Sequence, residues 1–214
     1  MDSYPGCGNL RDLGHPMLRL PPGDDFFRRR LRGGEYFEID HLRAAFPFVR
    51  QFGLAVDGGA HVGSWTRELC RRFEVVHAFE PEPQNFDCLV ANTEGKAILH
   101  REALGAGPAE AGLAPGGNSG CWHLTRGLGV RVIALDSLEL AECDLLKLDL
   151  EGAELYALQG AEVTLREHRP VVILERNGLA LKHYGLAEGA VGGFLTDLGA
   201  SLRARVGKDE VWSW

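Results

Sequence analysis

Paired cysteines are missing from this sequence. Its five thiols, at positions 7, 70, 88, 121 and 143, are odd in number and none stands in a Cys-x-x-Cys pair. That excludes a disulfide framework and a zinc knuckle, and leaves reduced thiols acting as small hydrophobes. Also absent is any run of about 18 apolar residues, the length a membrane-crossing helix requires. With Asp2 and no apolar core near its start, the chain reads as cytoplasmic and free of a secretory leader. An excess of positive charge is missing too: 23 Lys and Arg stand against 30 Asp and Glu, for a net charge of -7. A nucleic-acid partner is therefore disfavoured. The sequence contains neither a phosphate-cradling P-loop nor a Ser-His-Asp signature. Its one basic cluster, Arg28, Arg29, Arg30 and Arg32, could grip a phosphate or anionic substrate, but beside Asp24 and Asp25 it reads as a solvated helix face.

What remains is ordinary globular composition, 45% hydrophobic and 25% charged, over 214 residues. This is enough for one well-buried core and too little for two catalytic domains. Residues 1–52 read as an N-terminal extension, with a Gly- and Pro-rich leader up to residue 25 and a helix from Ile39. Residues 53–214 read as the main domain. There the hydrophobic period switches between two and 3.6. It predicts strand 54–57, helix 63–73, strand 75–80, helix 83–92 opened by Pro83, and strand 97–101. Residues 105–120, crowded with glycine and ending Gly116-Gly117-Asn118-Ser119-Gly120, predict a long loop of the kind that acts as a lid. Strand Val130–Leu135 follows, then Asp136 as the cap of a short helix, the apolar strand Cys143–Leu150, helix 152–161 and strand Val171–Glu175. Ser201–Val206 and Val211–Trp214, joined by residues 207–210, predict a terminal hairpin. The expected fold is α/β, a doubly wound and mostly parallel sheet finished by an antiparallel pair.

A ligand crevice is expected where the first strand, Leu54-Ala55-Val56-Asp57, runs into the turn Gly58-Gly59-Ala60-His61-Val62-Gly63 and then a helix. Ala60 stands where a dinucleotide fingerprint registered on Gly58 and Gly63 requires its middle glycine, and Asp57 at the strand end would repel a pyrophosphate. A cationic nucleoside such as S-adenosylmethionine fits this turn better than NAD. Glu80, ending the next apolar run, is placed to accept hydrogen bonds from ribose hydroxyls in either class.

Four blocks carry a family resemblance: Ala55 to Ser64, Ala78-Phe79-Glu80-Pro81-Glu82-Pro83, Ala134-Leu135-Asp136-Ser137-Leu138, and Leu146-Lys147-Leu148-Asp149-Leu150-Glu151-Gly152-Ala153-Glu154. In order and spacing they resemble FkbM-type methyltransferases, from about residue 36 to the end. The resemblance implies a seven-stranded class I methyltransferase fold, S-adenosylmethionine as donor, and O-methylation of a small-molecule or glycan acceptor. His61 departs from the family, which commonly has Asn there; its ring either fills the turn or meets the donor's carboxylate.

The donor residues expected on these grounds are Asp57, Gly59, His61, Gly63, Ser64, Glu80 and Glu102. Asp149 and Glu151 fall at a strand's carboxyl end, over the crevice, and Glu175 at the end of its neighbour. These three are the catalytic candidates, with Asp149 able to orient the donor's ammonium, bind a cation or take a proton. Asp149, Glu175 and Asn177 offer oxygen ligands for a divalent metal, although a metal-free site is the preferred reading. Lys147, in mid-strand, is expected to pair with a neighbouring acid. The rival functions are a catalytically silent donor-binding partner protein and an NAD-dependent oxidoreductase.

Overall fold

A computed structural model describes residues 18–32, 39–176, 178–187 and 189–214. Ten strands and eight α-helices alternate through them. In the order of the chain they are α1 (Asp25–Arg32), α2 (Ile39–Ala45), β1 (Leu54–Gly58), α3 (Ser64–Leu69), β2 (Val75–Phe79), α4 (Pro83–Thr93), β3 (Ile98–His100), β4 (Ala103–Leu104), β5 (Ala109–Ala114), β6 (His123–Ile133), β7 (Leu145–Leu148), α5 (Glu154–Gln159), α6 (Glu162–His168), β8 (Val171–Glu175), α7 (Leu179–Tyr184), α8 (Ala190–Asp197), β9 (Ser201–Val206) and β10 (Asp209–Ser213).

The main sheet has the order β3-β2-β1-β7-β8-β10-β9. Its first five strands run parallel, and β10 joins β8 and β9 antiparallel. This is the expected seven-stranded, mostly parallel sheet closed by a hairpin. Alternation along each strand explains why both faces are covered. Leu54, Val56, Leu146, Leu148, Val172, Leu174 and Trp212 pack on one side with Leu158, Leu165 and Leu195. Ala55, Leu145, Val171, Ile173 and Val211 pack on the other with Leu42, Trp65, Leu69 and Phe73. Each fully buried Leu or Ile stabilises the fold by roughly 1.5–3 kcal/mol.

The structure departs from expectation in the middle of the chain. Residues 105–120 are not a continuous loop: β5 lies within them and pairs antiparallel with β6, while β4 pairs parallel on its other edge. Of the expected strand Val130–Leu135, residues 130–133 likewise belong to this separate three-stranded sheet, in a strand that begins at His123, while Leu135 opens a 3-10 turn. β5 reads Ala-Glu-Ala-Gly-Leu-Ala, with no β-branched or aromatic residue. Only pairing with β6 makes it a strand. The expected helix 152–161 begins at Glu154 and breaks after Gln159 into a second helix, α6. Asp136 lies in a 3-10 turn and caps α6 instead of its own turn. Its carboxylate accepts from Val163 N and Thr164 N, both at 2.9 Å, and from Thr164 Oγ1 at 2.7 Å. The hairpin turn is narrower than expected because Asp209 and Glu210 already pair within β10.

Candidate active site

The chain leaves β1 toward β2 on one side and returns to β7 on the other, so the carboxyl ends of β1 and β7 diverge and open a crevice. A cleft of about 370 Å³ lies there. Gly59 begins its floor with φ 76°, and a Cβ on it would fall 1.9 Å from the Asp149 carbonyl oxygen. Only glycine fits where the turn crosses β7. Lys147, 4% exposed, bonds Gly59 O at 2.8 Å and pairs with Asp57 Oδ1 at 3.0 Å, as its mid-strand position predicted. The other Asp57 oxygen takes the Thr66 hydroxyl at 2.7 Å.

Glu80 is fixed by the backbone on both sides: its oxygens accept from His61 N at 2.9 Å and Glu82 N at 2.8 Å. Glu82 in turn caps α4 through Asn85 N at 2.7 Å, so the Glu-Pro-Glu-Pro segment ties the end of β2 to the glycine turn. Burial pushes the Glu80 carboxyl up to about 7, against the pull of those two backbone N–H groups. His61 holds φ 52°. Its ring bonds Ser119 Oγ through Nε2 at 2.7 Å, and burial holds it down to about 4, so it is neutral at physiological pH.

Across the cleft Asp149, Glu151 and Glu175 each offer an oxygen within 4.8 Å of the others. Glu151 is pushed up to about 7 by burial and then by Asp149. Glu175 is raised by burial and by the charges of Asp149 and Glu151, and shares a hydrogen bond with Asp149. Asp149 is raised by burial and lowered by Lys147, 3.9 Å away. Glu151, at about 7, and Glu175, at about 8, therefore hold protons near neutral pH, and Lys208 stands 3.7 Å from Glu175. Glu154, by contrast, is spent on structure, its Oε1 accepting from Leu150 N and Gly152 N.

The methyltransferase FkbM domain profile matches residues 57–192. The chain belongs to the FkbM methyltransferase family, whose members depend on S-adenosylmethionine. Among solved structures it is similar to methyltransferase FkbM from Methylobacillus flagellatus KT, with 19% identity and a TM-score of 0.50 over 77% of this chain and 44% of that one. The chain thus spans less than half the length of that relative. It is also similar to precorrin-6y C5,15-methyltransferase from Geobacter metallireducens GS-15, with 15% identity and a TM-score of 0.52 over 83% of this chain and 88% of that one. A TehB-like SAM-dependent methyltransferase from Corynebacterium glutamicum shares 13% identity at a TM-score of 0.50, covering 87% of this chain and 91% of that one. At such identities the likeness concerns the fold alone. No curated protein matches the sequence.

In this FkbM-family chain, Gly59, His61, Ser64, Glu80, Glu102, Asp149, Glu151 and Glu175 all line the one cleft. Asp57 and Gly63 do not. Asp57, expected among the donor residues, is 0% exposed and engaged by Lys147 and Thr66. Gly63 packs under α4, where a Cβ would fall 2.7 Å from Leu89 Cδ1. Glu102 precedes β4 and pairs with Arg131 at 3.3 Å. Asn177, a suggested metal ligand, lies outside the described residues. Sequence reasoning missed Phe26 and Phe27 of α1, which wall the cleft, and Asn85, which bonds Ser119, while Arg30 of the basic cluster, expected on a solvated helix face, lines the same cleft. The adjacent Phe26-Phe27 pair in an otherwise charged segment was the available signal.

Proposed function

We propose that the chain methylates an oxygen of a small-molecule or glycan acceptor, using S-adenosylmethionine. The observation that carries this reading is the division of one cleft between two kinds of carboxylate. Glu80, locked by backbone donors at the end of β2, has lone pairs left for ribose hydroxyls. Opposite, beside Asp149, Glu151 and Glu175 are raised to near neutrality, the range suited to a general base. The cleft volume of about 370 Å³ lies within the roughly 300–1,000 Å³ usual for small-molecule sites. A buried Asn85 Oδ1 without a hydrogen-bond partner in that lining adds an acceptor on the nucleoside side.

In this reading the donor supplies a methyl group already activated on a cationic sulfur. The protein's residues hold and orient the two substrates, exclude water, and accept the acceptor's proton on Glu151 or the Asp149–Glu175 pair. Gly59, His61, Ser64, Glu80 and Glu102 flank the donor, while Asp57 and Gly63 shape the turn beneath it. Residues 53–214 form the catalytic domain in this account and 1–52 an N-terminal extension, whose described helices α1 and α2 pack on it. No helix among the described residues is long and apolar enough to cross a membrane.

The spacing of the carboxylate trio also favours a second reading, in which a divalent cation binds the acceptor oxygens. Proton sharing already relieves the repulsion, so the metal-free route is preferred. Transfer unaffected by a chelator agrees with it, and transfer abolished by a chelator and restored by magnesium overturns it. The main test is calorimetric titration with S-adenosylmethionine and NADH, followed by incubation of labelled donor with metabolite extract. Donor binding and a labelled, O-methylated product are expected. Binding without transfer would make the chain a silent partner protein, and preference for NADH would make it an oxidoreductase.

A further inference from the structure

Part of the extension is tied down against α4 and the glycine turn, beside the cleft. Asn92 on α4 holds the Arg19 backbone from both sides, accepting from Arg19 N at 2.7 Å and donating to Arg19 O at 2.9 Å. The same amide reaches Val62 O in the glycine turn at 2.7 Å. From this anchor the chain runs to Asp24, whose Oδ1 caps α1 through Phe27 N at 3.0 Å. Its other oxygen, Oδ2, accepts the Ser119 hydroxyl. Ser119 Oγ is also bonded to His61 Nε2 at 2.7 Å. Since Ser119 gives its only proton to the carboxylate, the neutral ring must donate from Nε2. Three segments far apart in sequence, at 24, 61 and 119, thus meet in one directed chain of hydrogen bonds.

Packing follows the same line. The Phe27 ring lies 4.7 Å from the His61 ring, and a Cβ on Gly120 would come within 3.2 Å of Phe27 Cζ. Asn85 holds the Ser119 carbonyl from below at 2.8 Å. Phe26, Phe27 and Arg30 form one wall of the cleft, and residues 118–122 an adjoining one.

We propose that Asp24, Ser119 and His61 are a latch that closes the strap of residues 18–32 over the bound donor, so that product release requires the strap to part. The inference rests on the donor assignment above. Asp24 and Ser119 act through His61 and are positioning residues. His61 reports the state of the pocket because its backbone N–H is held by Glu80.

The test compares wild type with Ser119→Ala, Ser119→Thr and Asp24→Asn. Asparagine still caps a helix, so Asp24→Asn weakens the latch without unwinding α1. Hydrogen exchange of residues 19–32 is read first in the unliganded chain, with exchange in β1 and β7 as the control for folding. Release of S-adenosylhomocysteine is then followed by rapid mixing. Ser119→Ala and Asp24→Asn should lose protection in the strap alone and release the compound about tenfold faster, the equivalent of one charge-assisted hydrogen bond. Ser119→Thr, which keeps the hydroxyl, should restore both. Unchanged strap exchange overturns the latch, and so does faster exchange with unchanged release. A wild-type chain that holds no S-adenosylhomocysteine refutes the donor assignment, while strap exchange in the unliganded chain still reports whether the three residues lock it.

Discussion

Glu151 combines two features that oppose folding, a backbone in the left-handed region at φ 53° and a carboxyl raised to about 7. Of the five described non-glycine residues with positive φ, Glu94, Glu139 and Arg169 end helical segments, and the other two, His61 and Glu151, line the cleft. Such backbone persists where surrounding structure enforces it, most often at functional sites. Between the ordinary carboxyl value of 4.5 and about 7, folded Glu151 binds more protons than the unfolded chain. Its contribution to stability therefore falls as pH rises through that window. His61 has the opposite sign: held near 4 against an ordinary 6.5, it adds stability as pH rises from 4 to 6.5. Glu151→Gln should then stabilise the chain at pH 8 by about 1 kcal/mol, discounted for partial exposure, or about 2–4 °C in Tm. The same change should slow transfer about 100-fold and remove a rise in wild-type rate through pH about 7. Thermal melts at pH 5 and 8, with a pH–rate profile, check both. Lys147 makes a different prediction. Replacing it with Met strands Asp57, buried and without its cation, and should cost about 3–5 kcal/mol by urea unfolding. Adding Asp57→Asn should recover much of that loss.

The capping of α6 shows what could be read at the level of single elements and what could not. Asp136 was recognisable as a cap because a short polar residue at the start of a helical segment satisfies free N–H groups. The helix it caps starts 26 residues later, and no local pattern carries that information. Asp136→Ala should destabilise by about 1–2 kcal/mol, with faster hydrogen exchange confined to α6 and the 3-10 turn. The strands of the main sheet were legible because burial on both faces requires nearly continuous apolar runs, as in Val171–Leu174 and, but for Lys147, Leu145–Leu148. β5 was not, since its residues are small and half exposed, and its identity comes from a partner strand. The same distinction applies to the site. Glu80, Asp149 and Glu175 were visible because strand ends at a sheet's crevice are predictable from the order of elements. Ser119 and Phe27 were not, because their part depends on tertiary contacts between a glycine-rich segment and a helix remote from it.

At the scale of the whole molecule, the sheet order places the carboxylates Glu80, Asp149, Glu151 and Glu175 of the cleft on loops or strand ends and leaves most of each strand to the core. Carboxylates collected there raise the cost of the empty cleft, because Glu80, Glu151 and Glu175 are all held above their ordinary range chiefly by burial. A cationic ligand offsets that cost, and an anionic dinucleotide adds to it. The charge of the donor should therefore appear in global stability. A ligand bound only by the folded chain stabilises it by about 2.7 kcal/mol at a hundred times its Kd, which for a chain of this size raises Tm by roughly 5–10 °C. S-adenosylmethionine, added at that excess over its calorimetric Kd, should give a shift in this range, and NADH at equal concentration none. The shift should shrink as pH falls below 7, because protonated carboxyls no longer favour the sulfonium. Thermal scans at pH 5.5 and 7.5 with each compound separate the two. A larger shift with the dinucleotide, or one independent of pH, would mean that the carboxylates do not select the ligand by its charge.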